Sequence, residues 1–138
     1  MTEDGVRDSL SYFLVIAHFS ILVLVIVAWA FHGFTFSQMT TTVALIIPMF
    51  ATYTTSIIQY VTAHRSIIPQ VSPSVTATFA FISFLLPSIF VILLLLMITL
   101  KVLNIGFNDF DQFKIALALC EAAFGIYVGK VVTSLFKK

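Results

Sequence analysis

Two ionisable side chains, Glu121 and His18, stand inside long apolar runs, where each must serve a purpose that offsets its cost. An unpaired carboxylate in hydrocarbon is disfavoured by several kcal/mol, so Glu121 has to be protonated, paired or wetted. Glu121, Gly125 and Gly129 recur one helical turn apart, which puts the acid above a smooth glycine strip on one helix face. Glycines at that spacing let two helix backbones approach closely in lipid. His18 has a side chain suited to handling a proton or touching a ligand, but the cost of burial favours a histidine bonded to a neighbouring helix or snorkelling to the headgroups. With Pro48 as zero, Thr41, Ala44, Thr52, Thr55, Gln59 and Thr62 all lie within about 40° of it on a helical wheel. Such a stripe lines a wet path when several copies surround an axis. It serves as internal glue when the hydroxyls bond their own helix carbonyls and Gln59 bonds a neighbour.

The elements that must position these groups follow from composition. The chain of 138 residues is 60% hydrophobic and 9% charged, with a mean hydropathy of +1.11. Soluble domains carry roughly 25% charged residues. Four apolar runs, at about 10–32, 40–63, 75–103 and 113–136, each exceed the ~20 residues a helix needs to cross a bilayer core. The expected fold is all-α: a single membrane domain, 1–138, of four transmembrane helices in an antiparallel bundle that assembles as a homo-oligomer. Connections are too short for a soluble domain, so any activity takes place in or beside the bilayer.

Residues 1–9 hold Glu3, Asp4, Arg7 and Asp8, an acidic tail unlike a basic secretory leader. Trp29 marks the far headgroup boundary of the first span. The second span is kinked at Pro48, and 64–74, with Arg65, Pro69 and Pro73, forms a stiff turn. The third span is the most uniformly oily and is expected on the outside of the bundle. Asp109 and Gln112 have the spacing of a capping box that starts the fourth helix. Basic residues place Arg7, Arg65, Lys137 and Lys138 on one side and Lys101 and Lys114 on the other, so both termini are expected to be cytoplasmic, in a bacterial inner membrane.

Several functions are excluded on residue patterns. A net charge of +1 does not make a nucleic-acid surface. Cys120 alone supports neither a disulfide framework nor a cysteine metal site, and Asn108, Asp109 and Asp111 are too few for a calcium loop. A haem with two axial histidines needs a second deep histidine. No nucleophile elbow, HExxH or phosphate-binding glycine loop occurs, so neither an enzyme nor a cofactor is expected.

The favoured expectation is an oligomeric pore or membrane-perturbing effector. Its fourth helix gives close contacts through Gly125 and Gly129. Glu121 and the face of Thr52, Thr55 and Gln59 line a path, with His18 as a further intramembrane contact. The competing expectation is a non-conducting anchor or assembly subunit whose Glu121 and His18 pair with a partner's helices. A third, a small proton-coupled transporter, calls for internal symmetry between the two halves, and the proline and acidic positions do not correspond. Membrane glutathione transferases carry an arginine-rich helix motif missing here, and small multidrug transporters keep their coupling glutamate in the first helix. In span count, size, short loops and one polar helix, the chain resembles the four-helix transmembrane effectors of bacterial anti-phage systems. That resemblance implies oligomerisation and a cytoplasmic partner that senses infection.

Overall fold

The computed structural model describes residues 2–63, 74–127 and 130. They form four helices: α1 (Glu3–Ala30), α2 (Phe36–Ala63), α3 (Ala77–Val102) and α4 (Phe110–Tyr127). The protein is all-α, and α1, α2 and α3 are each long and apolar enough to cross a membrane. The described part of α4 is 18 residues and contains Asp111, Lys114 and Glu121. Its expected continuation, with Gly129, Lys137 and Lys138, lies outside the described residues. So does the turn carrying His64, Arg65, Pro69 and Pro73.

Local chemistry sets the helix ends. Thr2 caps α1 by accepting from Gly5 N at 3.3 Å, and Glu3 and Asp4 complement the positive helix start. Residues 3–9 are therefore the first turns of α1 instead of a tail. Asp109 caps α4 by accepting from Gln112 N at 2.8 Å, and the Gln112 side chain returns to Asn108 N at 3.0 Å. The expected box is present, with its return bond displaced by one residue. Thr35 and Gln38 make a full reciprocal box at the start of α2.

Helices α1 and α3 end alike. His32 (φ 64) and Asn104 (φ 55) adopt the left-handed conformation. Each N–H bonds back to Trp29 O and Lys101 O, and the next N–H bonds Ala28 O and Leu100 O at 2.8 Å. Both are Schellman ends. Gly33 lies between them: an added Cβ would sit 2.8 Å from a Val102 methyl and 3.1 Å from the Ala28 carbonyl. Gly33→Ala is accordingly expected to cost about 1–3 kcal/mol by overpacking, read as a lower midpoint in detergent-titrated unfolding. An unchanged midpoint would mean that the two turns do not meet.

These joined turns fix the arrangement. Helices α1–α2 and α3–α4 are two hairpins with their turns at the same end. Helix α1 packs on α2 and α3, and α4 packs on α3 and α2. Like-directed helices are thus neighbours: Phe34, before α2, meets Phe113 of α4, and His18 of α1 meets Phe90 of α3. The bundle is antiparallel only within each hairpin, and α2 and α3, consecutive in the chain, stand on a diagonal.

The hairpins also share a sequence pattern. Gly33-Phe34-Thr35-Phe36-Ser37-Gln38 is echoed by Gly106-Phe107-Asn108-Asp109-Phe110-Asp111-Gln112 with one insertion. From each N-cap, Phe50 and Tyr53 in α2 match Phe124 and Tyr127 in α4. Each tyrosine hydroxyl crosses to its own hairpin's first helix, Tyr53 to Leu14 O at 3.4 Å and Tyr127 to Ser83 O at 2.8 Å. An internal repeat exists after all, carried by caps and aromatics while proline and acidic positions vary.

The outer surface is apolar, with Ile16, Phe19, Ile92, Leu119 and Ile126 all more than 60% exposed, as hydrocarbon solvent requires. Helix α3 is not an outer helix: Phe90, Leu94 and Ile98 are buried in the core. Its oiliness reflects a lipid-facing side added to a core-facing side.

Candidate functional site

The polar groups of the bundle interior gather at mid-depth. At 1.5 Å per residue, His18 lies roughly 18 Å from the C-terminal end of α1 and Glu121 roughly 17 Å from the start of α4. Those two ends are at the same side of the bundle, so both groups occupy one layer, one from each hairpin. Phe90 shares that layer. His18 is wholly buried and Glu121 is 6% exposed.

Aromatic rings enclose His18 on three neighbouring helices. Phe50 stacks at 6.2 Å, Phe90 at 5.5 Å and Phe124 at 5.8 Å between centroids, and Tyr53 approaches edge-on at 5.0 Å. Phe90 and Phe124 stack on each other at 3.9 Å, nearly parallel. Imidazole Nδ1 is 3.3 Å from Leu14 O, the same carbonyl that accepts from Tyr53. One carbonyl of α1 thereby positions the two side chains. With Nδ1 donating there, a neutral His18 carries its proton on Nδ1 and offers Nε2 as an acceptor.

Glu121 follows from helical spacing: Phe113, Leu117, Glu121 and Phe124 form the buried stripe of α4. It lies one turn before Phe124 and close enough to Tyr53 to interact electrostatically. Among the described residues, neither carboxyl oxygen of Glu121 nor His18 Nε2 has a hydrogen-bond partner. Ser83 Oγ, nearer the far end, is buried in the same condition.

The other sequence candidates lie elsewhere. Thr52, Thr55 and Gln59 are exposed on the outer side of α2, together with Ala44, Pro48 and Thr62. The structure does not bring them together with Glu121: one set faces outward and the other inward, because the buried side of α2 is taken by Thr42, Ile46, Tyr53 and Ile57. Thr41 and Thr52 donate to Ser37 O and Pro48 O at 2.8 Å, and Thr62 donates to Ile58 O, as glue hydroxyls do. Gly125 serves a contact within the chain, since a Cβ there would meet Met49 Cε at 2.8 Å. It seats α4 on α2, and Gly129 lies outside the described residues. Lys130 is exposed.

Sequence reasoning missed Arg7 as a structural group. It is buried beneath ion pairs to Glu3 (3.2 Å) and Asp4 (3.3 Å), with its guanidinium 4.3 Å from the centre of the Tyr60 ring. The i, i+3 and i, i+4 spacing of Glu3, Asp4 and Arg7 was the available signal. It also missed the aromatic enclosure, which pools rings from three helices around His18 of the fourth. Among the described residues no three His, Cys, Asp or Glu side chains cluster as a metal site.

Apolar outside, with Glu121 and His18 turned inward, this fold defines a small multi-pass helical membrane protein. No family model, curated protein or solved structure matches the chain.

Proposed function

We propose that this chain is one subunit of a membrane assembly that permeates or perturbs the bilayer, with the α2 faces of neighbouring copies surrounding the path. The supporting observation is the stripe of Thr52, Thr55, Gln59 and Thr62, exposed on a helix long enough to span. A small, hydroxyl-bearing strip gains little from contact with lipid tails and packs well against another helix. In this reading Glu121 stands behind the path, inside each protomer, and the stripe alone meets permeant ions. The resemblance to anti-phage effectors supports an assembly that a cytoplasmic sensor protein triggers.

A second reading is favoured by the hydroxyl bonds. Because Thr41, Thr52 and Thr62 spend their protons on their own helix, the stripe also suits close packing in a non-conducting anchor. Ion flux separates the two. Purified protein is reconstituted in liposomes, as wild type and with Thr55→Leu plus Gln59→Leu, while Thr55→Cys in a Cys120→Ser background is cross-linked. Flux in wild type that falls at least tenfold in the double variant, with α2–α2 cross-links, supports the path. Absent flux with cross-links retained would replace it by the anchor.

A further inference from the structure

We propose that Glu121 and His18 form a two-residue proton-binding site inside each protomer, holding one exchangeable proton between carboxyl and imidazole.

Three independent observations carry this. The first is complementarity. His18 Nδ1 is committed to Leu14 O, which leaves Nε2 with a lone pair, while a neutral Glu121 carries one O–H to donate. All three atoms concerned, Nε2 and both carboxyl oxygens, are buried without a hydrogen-bond partner among the described residues. Unpaired buried polar atoms cost about 1–3 kcal/mol each, so a fold that retains three of them in one layer is holding them for use.

The second is the enclosure. An imidazolium over the faces of Phe50, Phe90 and Phe124 is attracted by their quadrupoles, and a carboxylate in the same layer supplies the counter-charge. The third is the repeat. Aligning the Schellman ends at His32 and Asn104 matches His18 to Phe90, and aligning the caps at Thr35 and Asp109 matches Glu121 to Ile47. His18 and Glu121 thus each stand where the other hairpin has an apolar residue, and the two face one layer. Ile47 is exposed, so Glu121 has been turned inward as well as substituted.

The chemistry balances without a further reactant. Transfer breaks the O–H bond of Glu121, leaves its electron pair on the carboxylate and forms an N–H bond at Nε2. The pair passes from two neutral groups to imidazolium and carboxylate with unchanged net charge. No ion pair within 4.0 Å joins them among the described residues, so transfer requires side-chain rotation or bridging water. Other titratable groups near the site are Tyr53 of α2 and Cys120 and Tyr127 of α4, while α3 presents Phe90 and Ser83. A groove of about 170 Å³ between α3 and α4, bounded by Leu86, Ile89, Phe90, Cys120, Phe124 and Tyr127, reaches the outer side of the Phe90–Phe124 stack.

The test is infrared spectroscopy of the carboxylic-acid C=O band together with ¹⁵N resonance of histidine, across a pH series in lipid bilayers. The expected result is a protonated-carboxyl band that Glu121→Gln removes, whose midpoint moves at least tenfold in proton concentration in His18→Phe. The His18 nitrogen signal should change with the same midpoint as that band in wild type and lose this transition in Glu121→Gln. Phenylalanine is the residue the other hairpin uses, and glutamine preserves the shape of Glu121, so circular dichroism and size-exclusion profiles should match wild type. A band untouched by Glu121→Gln, or a midpoint moved less than twofold by His18→Phe in folded protein, would overturn the proposal. Neither readout depends on ion flux, so the site stands or falls separately from the path along α2.

Discussion

Phe124→Ala is expected to lower the unfolding free energy of the bundle by about 3 kcal/mol, near the low end for a buried phenylalanine. The low end applies because lipid tails are as apolar as the core, so moving the ring out of the bundle forfeits contacts and leaves a void without a large transfer penalty. Phe124 has many contacts to lose: it is 4% exposed, stacks on Phe90 at 3.9 Å and touches His18, Tyr53 and Tyr127. Phe50, its counterpart in the first hairpin, is only half-buried, and Phe50→Ala should cost clearly less. Unfolding in mixed micelles of rising dodecyl sulfate content, followed by circular dichroism, gives both values. Equal losses at the two positions would contradict the deeper burial of Phe124.

Arg7→Ala should cost about 2–3 kcal/mol, below the 3–5 of a fully buried pair because Asp4 is half-exposed. The guanidinium forks to two carboxylates and stacks over Tyr60, linking the first turn of α1 to the last turns of α2. Its removal leaves Glu3 and Asp4 without their shared cation and opens the contact to α2. Arg7→Lys restores charge without the planar fork, and it should recover less than half of the loss. The same unfolding assay, run at low and high salt, checks this. Full recovery by lysine would show that charge alone matters at this position.

Much of this architecture was legible in one dimension. Four apolar runs longer than a bilayer crossing predict four spans; four helices are found among the described residues, three of them long and apolar enough to cross, because in hydrocarbon the backbone has no alternative partner for its N–H and C=O groups. The Asp109–Gln112 cap was equally plain, since a side chain reaching three residues along needs no tertiary help. The repeat was legible too but lay in the turns. Gly-Phe and Phe-x-Gln at matching places are stronger evidence of duplication than prolines, which differ between the halves.

Facing was not legible. The helical wheel correctly grouped Thr52, Thr55 and Gln59, and separately Glu121 and Gly125, but it could not say which group turned inward. A stripe of threonines and one carboxyl both suit a protein interior or a protein interface in lipid. Only packing chose between them: Tyr53 takes the core position on α2 through its bond to Leu14 O, which turns the threonine face outward.

Sequence by itself determined the class of this protein, the four helices of its described residues and the chemistry at their ends, because each depends on composition or on atoms a few residues apart. Tertiary structure alone decided that like-directed helices are neighbours, that Gly125 seats α4 on Met49 and that His18 and Glu121 share one aromatic layer. Those outcomes rest on contacts between residues far apart in the chain. In a membrane no hydrophobic drive selects among such contacts, so close packing and the pairing of a few polar atoms do.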